Sequence, residues 1–261
     1  MADMAREEVL GWLERPLESY YPIIYIDCTF VSVRRAGAVR KEAFYSILGV
    51  LPDRTREVLT IVAHPSESAT IWREVFRDLK HRGLEEVNLV VSDSLSGIED
   101  AVAAEFSGAD HQLCFVHLMR NMAKKVNHND RKRLMEEVKE IIYTYDRHRT
   151  PDQAYAEFQQ FCNRWAENYR SFKNIAANDR YCMCFTFLKF NRAIHSMIYS
   201  MIYSTNWIER LNRDYKRVLK MRGALPNEQV VLVLMASVAI NKKAYERKLP
   251  TIDRESSFTW L

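Results

Sequence analysis

From Pro22 to Val33 the chain reads Pro-Ile-Ile-Tyr-Ile-Asp-Cys-Thr-Phe-Val-Ser-Val, a run of β-branched and aromatic residues bounded by a proline and by Arg34-Arg35-Ala-Gly37. That pattern predicts a strand. Two more strands are predicted, Glu42 to Leu51, ended by Pro52-Asp53, and Val58 to Ala63, ended by His64-Pro65. The short polar links between the three suggest an antiparallel meander. The period then changes: Ser66 to Arg82 carries Ile71, Val75, Phe76 and Leu79 at helical spacing and stops at Gly83. Such a helix crosses over to the apolar run Val87 to Asp93, which reads as a buried parallel strand. Ser96-Gly-Ile-Glu99 has the form of a capping box opening a helix through Phe106, and Gln112 to Val116 reads as a short strand. Three strands, a helix, a strand, a helix and a strand make an α/β mixed sheet flanked by helices.

From His117 to about Ser200 the strand pattern gives way to helical spacing, first through Leu134, Val138, Ile141 and Ile142, then through Tyr155, Phe158, Phe161 and Trp165. This stretch is expected to be an all-α insertion in the sheet domain. Met197-Ile-Tyr-Ser200 is repeated at once as Met201-Ile-Tyr-Ser204, too short a repeat for a solenoid. Asn206-Trp-Ile-Glu209 then begins a helix with an apolar stripe of Ile208, Leu211, Tyr215 and Val218, ended by Gly223 and Pro226. Arg210, Arg213, Arg217 and Lys220 line another of its faces.

Charge changes this picture more than composition does. A net charge of +4 identifies nothing by itself, but Ser204 to Lys248 holds ten Lys or Arg against four Asp or Glu, so the rest of the chain is slightly acidic. Five scattered cysteines, an odd number in a chain of 261 residues, read as reduced thiols. The charged N-terminus has no signal-peptide core, and the longest apolar run, Val230 to Ile240, is too short to cross a bilayer. The expectation is a cytoplasmic protein with no membrane partner. Walker-type loops, Gly-x-Ser-x-Gly elbows and His-Glu-x-x-His helices are absent from the sequence. A haloacid-dehalogenase phosphatase would need an aspartate at position 29, where this chain has Thr29.

Asp27 lies inside an apolar strand, where a carboxylate costs free energy unless it is paired, hydrogen-bonded or metal-bound, and Asp93 ends a second buried strand. The carboxyl ends of neighbouring strands are where ligands bind in open α/β sheets, so the pair could converge on one hard cation. The bland alternative makes Asp93 a turn cap and leaves Asp27 on the solvated face of an edge strand. Glu209 has an alternative too, as the third residue of a helix capped by Asn206, although it shares that helix with a basic stripe suited to a phosphate backbone. Three carboxylates around two divalent ions suit phosphoryl transfer, with Mg²⁺ as the natural ion. Zinc on Cys114 and His117, with Cys182 and Cys184 as further ligands, matches no closed zinc module, and zinc is not expected. Trp165 and Trp207 are expected in the core.

These residues resemble the Mutator-type bacterial insertion-sequence transposases. Tyr25-Ile-Asp27 is similar to the family's first aspartate strand, Val90-Val-Ser-Asp93 with Gly97 to its second aspartate segment, and Cys114-Phe-Val-His117 with Arg120-Asn121 to its Cys-x-x-His element. Ser204-Thr-Asn206-Trp-Ile-Glu209-Arg210-Leu-Asn212, followed by the basic helix and Gly223-x-x-Pro226, resembles the glutamate segment. The resemblance covers about residues 20 to 245. It implies a ribonuclease H-like core over 20–117, completed by 204–248 and interrupted by an all-helical insertion over 118–203, with a tail over 249–261. It further implies a catalytic, metal-binding triad of Asp27, Asp93 and Glu209 using Mg²⁺, with Mn²⁺ able to substitute. Cys114, His117 and Asn206 would neighbour that triad, and Arg210, Arg213, Lys216, Arg217 and Lys220 would bind DNA. The implied partners are double-stranded insertion-sequence ends, target DNA and further copies of the chain assembled on DNA. The implied activity is cleavage and transfer of DNA strands; the alternative is a truncated, non-catalytic DNA-binding copy that regulates a full-length enzyme.

Overall fold

The structure, a computed structural model, describes residues 2–63, 68–144, 149–190, 194, 195, 198, 207–220 and 223–240. The chain divides into two compact units. Residues up to Asp110 and the described chain from Trp207 form one, and His111 to Tyr203 belong to the other.

The sheet has the strands β1 (Tyr20–Arg35), β2 (Ala38–Val50), β3 (Arg56–Ala63) and β4 (Glu86–Ser92), all of the first unit, and β5 (Asp110–Leu113), in the spatial order β3-β2-β1-β4-β5. β1 to β3 form the expected antiparallel meander, and β4 runs parallel to β1. With α2 (Ala69–His81) between β3 and β4 and α3 (Ile98–Glu105) between β4 and β5, this is the mixed sheet flanked by helices that the sequence pattern predicts. β1 and β2 reach further than their apolar runs. They stay paired from Ile23↔Val50 out to Arg35↔Ala38, because the charged stretch Arg34 to Lys41 continues the hairpin instead of ending it. Ala36 and Gly37 make its two-residue turn with φ of 47° and 81°, the positive values that a right-twisted hairpin demands.

One sheet face is covered by α2 (Ala69–His81) and α3 (Ile98–Glu105). Ile24, Ile26 and Val90 pack there with Trp72, Phe76 and Phe106, and Trp72 meets Tyr45 edge-on at 5.0 Å. Ser68 caps α2 by accepting the Ile71 amide. The helix after β4 opens one residue later than its capping-box pattern suggests. Gly97 is its N-cap at φ 74°, where a side chain would lie 2.3 Å from the Ala69 amide nitrogen, so close approach to α2 dictates the residue. The described chain also holds α1 (Ala2–Leu13), which the sequence pattern did not predict. The helices near the C-terminal end of the unit are described below with the site.

The second unit is helical throughout its described length after β5. It contains α4 (Phe115–Ala123), α5 (Arg131–Tyr143), α6 (Pro151–Ala166), α7 (Ser171–Ala176) and a 3-10 segment over Asp179–Lys189. Thr150 and Gln153 form a reciprocal capping box with Pro151 at the first helical position. Phe158, Phe161, Phe172 and Phe185 are fully buried, and Trp165 stacks on Phe172 in the core as expected. The strand predicted over Gln112 to Val116 is corrected. β5 ends at Leu113, and Phe115, Leu118, Met119 and Met122 form the buried stripe of α4, a helical period that the four-residue apolar run Leu113–Val116 concealed.

Candidate functional site

Asp27 lies on the central strand of the sheet, which removes the edge-strand explanation for it. In the parallel register of β1 and β4, Ile26 pairs with Ser92, so the next residues along each strand are Asp27 and Asp93. Both aspartates are half-buried. The sheet's alternation puts Ile26 in the core beneath α2 and α3 and turns Asp27 to the opposite face. Asp93 also serves its own turn: one carboxylate oxygen accepts the Ser94 amide at 2.8 Å, and its carbonyl accepts from Leu95 at 2.7 Å. The turn-cap explanation therefore holds for one oxygen of Asp93 without excluding a ligand role.

Across the Asp27 face runs α8 (Trp207–Lys220). Its buried residues are Trp207, Leu211, Tyr215 and Leu219, on the same side of the helix as the predicted stripe, with Ile208 and Val218 half-buried among them. Asn212 makes the contact that fixes the helix on the strand. Its amide nitrogen donates to the Asp27 carboxylate, while its amide oxygen accepts the hydroxyl of the buried Thr29 at 2.8 Å. A carboxylate can only accept, so the two partners together define which way the amide points. Ser46, the cross-strand neighbour of Asp27, faces the buried Tyr215, whose phenol is raised above its ordinary pKa by burial, with Ser46 acting the other way.

Glu209 is three residues before Asn212 on the same helix, roughly 60° around it at 100° per residue, and is half-buried. Arg213, Lys216, Arg217 and Lys220 are exposed and Arg210 is half-buried. On the same geometry, these five cations span roughly 120° of the helix, with Glu209 inside that arc and Asn212 at its border with the packed stripe. The helix thus presents apolar contact, an amide aimed at Asp27, a carboxylate and a basic face in succession. Among the described residues, no three Asp, Glu, His or Cys side chains are gathered closely enough to hold one metal ion. After α8, Leu225 pairs with the distal part of β1, exchanging backbone hydrogen bonds with Ser32 and Arg34 at 2.9 and 2.7 Å. The following α9 (Glu228–Ile240) packs on α8, β3 and α1. It contains the apolar run noted in the sequence, and no helix among the described residues is long and apolar enough to cross a membrane.

Cys114 and His117 belong to the second unit, Cys114 as the N-cap of α4 and His117 in its first turn, both half-buried. Cys182 is half-buried and Cys184 fully buried, and none of the five cysteines is in a disulfide. Burial pushes the Cys162 thiol up to about 12. Asn206 and the repeated Met-Ile-Tyr-Ser lie outside the described residues, apart from Ile198. The functional residues missed in the sequence are Asn212 and Thr29. The first had a usable signal, since Asn212 follows Glu209 at i+3 and must share its side of the helix.

A sequence profile described as "Transposase, Mutator family" matches residues 1–247 of the chain. A transposase for insertion sequence element IS905 of Lactococcus lactis is 32% identical over 226 residues, 87% of this chain and 55% of that protein. A probable transposase for an ISRM3-like element of Sinorhizobium fredii is 30% identical over 251 residues, 96% of this chain and 60% of its own length. The chain therefore spans little more than half the length of these relatives. Among solved structures, a chain of a simian T-cell lymphotropic virus intasome in complex with a PP2A regulatory subunit matches at 12% identity and a TM-score of 0.27, covering 54% of this chain and 46% of that one.

Proposed function

Since the chain belongs to the Mutator family of transposases, we propose that its sheet unit carries the strand-cutting and strand-joining chemistry of a DNA transposase, with Asp27, Asp93 and Glu209 as ligands for divalent cations. One observation carries this reading. The β1–β4 register brings Asp27, within β1, beside Asp93, just past the end of β4, and Asn212 ties to the first of them the helix that bears Glu209.

The donor set suits the cation. All three groups are carboxylates, the hard oxygen ligands that Mg²⁺ prefers, and Mg²⁺ completes its octahedron with water and phosphate oxygens instead of requiring an all-protein cage. Bound there, such ions would lower the pKa of an attacking water or 3′-hydroxyl and stabilise the charge leaving the phosphate. The protein's own part is positional. Asn212 occupies one oxygen of Asp27 and fixes the carboxylate's orientation, while the Ser94 amide does the same for Asp93. Arg213, Lys216, Arg217 and Lys220 offer a cationic track for the DNA backbone beside Glu209.

The test uses the purified chain with duplex DNA bearing the matching element ends and Mg²⁺ or Mn²⁺. The wild type should nick and join strands, and Asp93→Asn should lose both while binding DNA at least as well. Absence of cleavage by the wild type alongside intact binding supports a non-catalytic DNA-binding copy instead. Equal loss of binding and cleavage in Asp93→Asn would make the aspartate structural.

A further inference from the structure

The β1–β2 hairpin extends past the helices that cover the sheet, and its two faces differ sharply. On one, Val31 and Val33 are 5% and 0% exposed, and Arg35 is ion-paired to Glu42 and to Glu228 at the start of α9. The backbone bridge to Leu225 adds to this anchoring. The register gives the other face Phe30, Ser32 and Arg34 from β1 opposite Ala43, Lys41 and Val39 from β2. There Phe30 is 68% and Val39 55% exposed, and Arg34 and Lys41 are exposed with no ion pair among the described residues. The ribbon's one acidic side chain, Glu42, is on the anchored face.

We propose that this open face of the ribbon is a duplex-DNA contact surface separate from the carboxylate site and from the basic face of α8. The ribbon is held rigid from behind, so it presents its side chains at fixed spacing. Arg34 and Lys41 are diagonal neighbours across the two strands and suit phosphates, with the hydroxyl of Ser32, directly opposite Lys41, as a further donor. Phe30 supplies an apolar plane that can lie against sugar or enter a base step. A two-stranded ribbon also has the dimensions to enter the major groove, roughly 12 Å wide. The absence of an acidic group from this ribbon face favours a polyanion over a second copy of the chain, which would have to bring its own acidic surface.

This inference rests on the proposal that the chain acts on DNA, and the experiment separates the two. Binding of the full chain to a fluorescent 30-base-pair duplex is followed by anisotropy from 50 to 200 mM salt, for the wild type, Phe30→Ser and the Arg34→Ser/Lys41→Ser double variant. The substituted side chains are exposed, and circular dichroism checks that the fold is kept. The double variant should lower the magnitude of the log–log salt slope by roughly 2, the release expected for two phosphate contacts. Phe30→Ser should weaken binding while leaving the slope unchanged. No binding by the wild type defeats both proposals. Wild-type binding with an unaltered slope in the double variant defeats only the ribbon. The same is true if sedimentation shows that the double variant breaks an oligomer while its salt slope stays at the wild-type value, which would make this face an interface between copies.

Discussion

Replacing Asn212 by aspartate tests the joint between α8 and β1 with a result whose sign depends on a cation. Asn212→Asp exchanges the amide that donates to Asp27 for a second carboxylate facing it. Two like charges about 4 Å apart at an effective dielectric of 20 repel by about 4 kcal/mol. Both residues are half-buried, so screening reduces the net cost to roughly 1–2 kcal/mol. For a chain of this size that lowers Tm by roughly 3–6 °C. Asn212→Ala loses the bond to Asp27 and leaves the buried Thr29 hydroxyl without its acceptor, for a similar loss of roughly 1–2 kcal/mol. The two variants are therefore alike without metal and should part with it. If Asp27 binds a divalent ion, Mg²⁺ or Mn²⁺ relieves the repulsion, and the Tm gain on adding 10 mM cation should be larger in Asn212→Asp than in the wild type. Asn212→Ala should show no such enhancement. Scanning calorimetry across a cation series measures this directly. Equal cation responses in both variants would refute the reasoning, because an acidic pair at a metal site cannot be indifferent to the metal.

Other substitutions address the scaffold and its ionisation. Ala36 stands at φ 47° in the hairpin turn, where Asn is the favoured residue before glycine, so Ala36→Asn should raise stability by about 0.5–1 kcal/mol in urea denaturation. Gly97→Ala should cost more than about 2 kcal/mol, since its Cβ would meet the backbone of Ala69 at a positive φ; a near-neutral result would mean that the loop after Asp93 can move off α2. Cys162, raised by burial to about 12, keeps its proton in the fold while the unfolded chain releases one near pH 9. Its contribution is complete below pH 9 and is lost as pH rises toward 12, amounting to about 1 kcal/mol by pH 10. Denaturant titrations at pH 8 and pH 10 should therefore show a smaller pH loss in Cys162→Ala than in the wild type.

The fold was legible where burial imposes a clear period. Ile23 to Ile26 and Leu89 to Val91 lie in strands covered on both faces, so their apolar runs announced themselves, and Ile71 to Leu79 showed one helical stripe. The distal hairpin was less legible because only one face is packed. Val31 and Val33 alternate with solvated residues, and the charges from Arg34 to Lys41 look like a loop. Cys114 to Val116 failed for another reason: a four-residue apolar run, Leu113 to Val116, fits either period, and the arbiter was packing by Leu118 and Met122, further along the chain.

The site followed a different logic. Asp27 and Asp93 could be paired from the sequence because each ends or interrupts an apolar strand, and strands that neighbour one another in a parallel pair bring such ends together. Glu209 could be placed on a helix, but nothing in its own segment says which strand that helix crosses. That information resides in Asn212 and Thr29, 183 positions apart and joined by one hydrogen bond. A polar residue at the margin of an amphipathic helix reads as solvated until its partner across the fold is known. Yet the periodicity was informative: Asn212 borders the buried stripe of Leu211, Tyr215 and Leu219, on the side turned toward Glu209. A hydrogen-bonding side chain at that border is where a helix can grip a polar strand face without burying an unpaired group. In this chain the strand face it grips is the one that carries Asp27, so the contact that docks the helix also sets which way the carboxylate points.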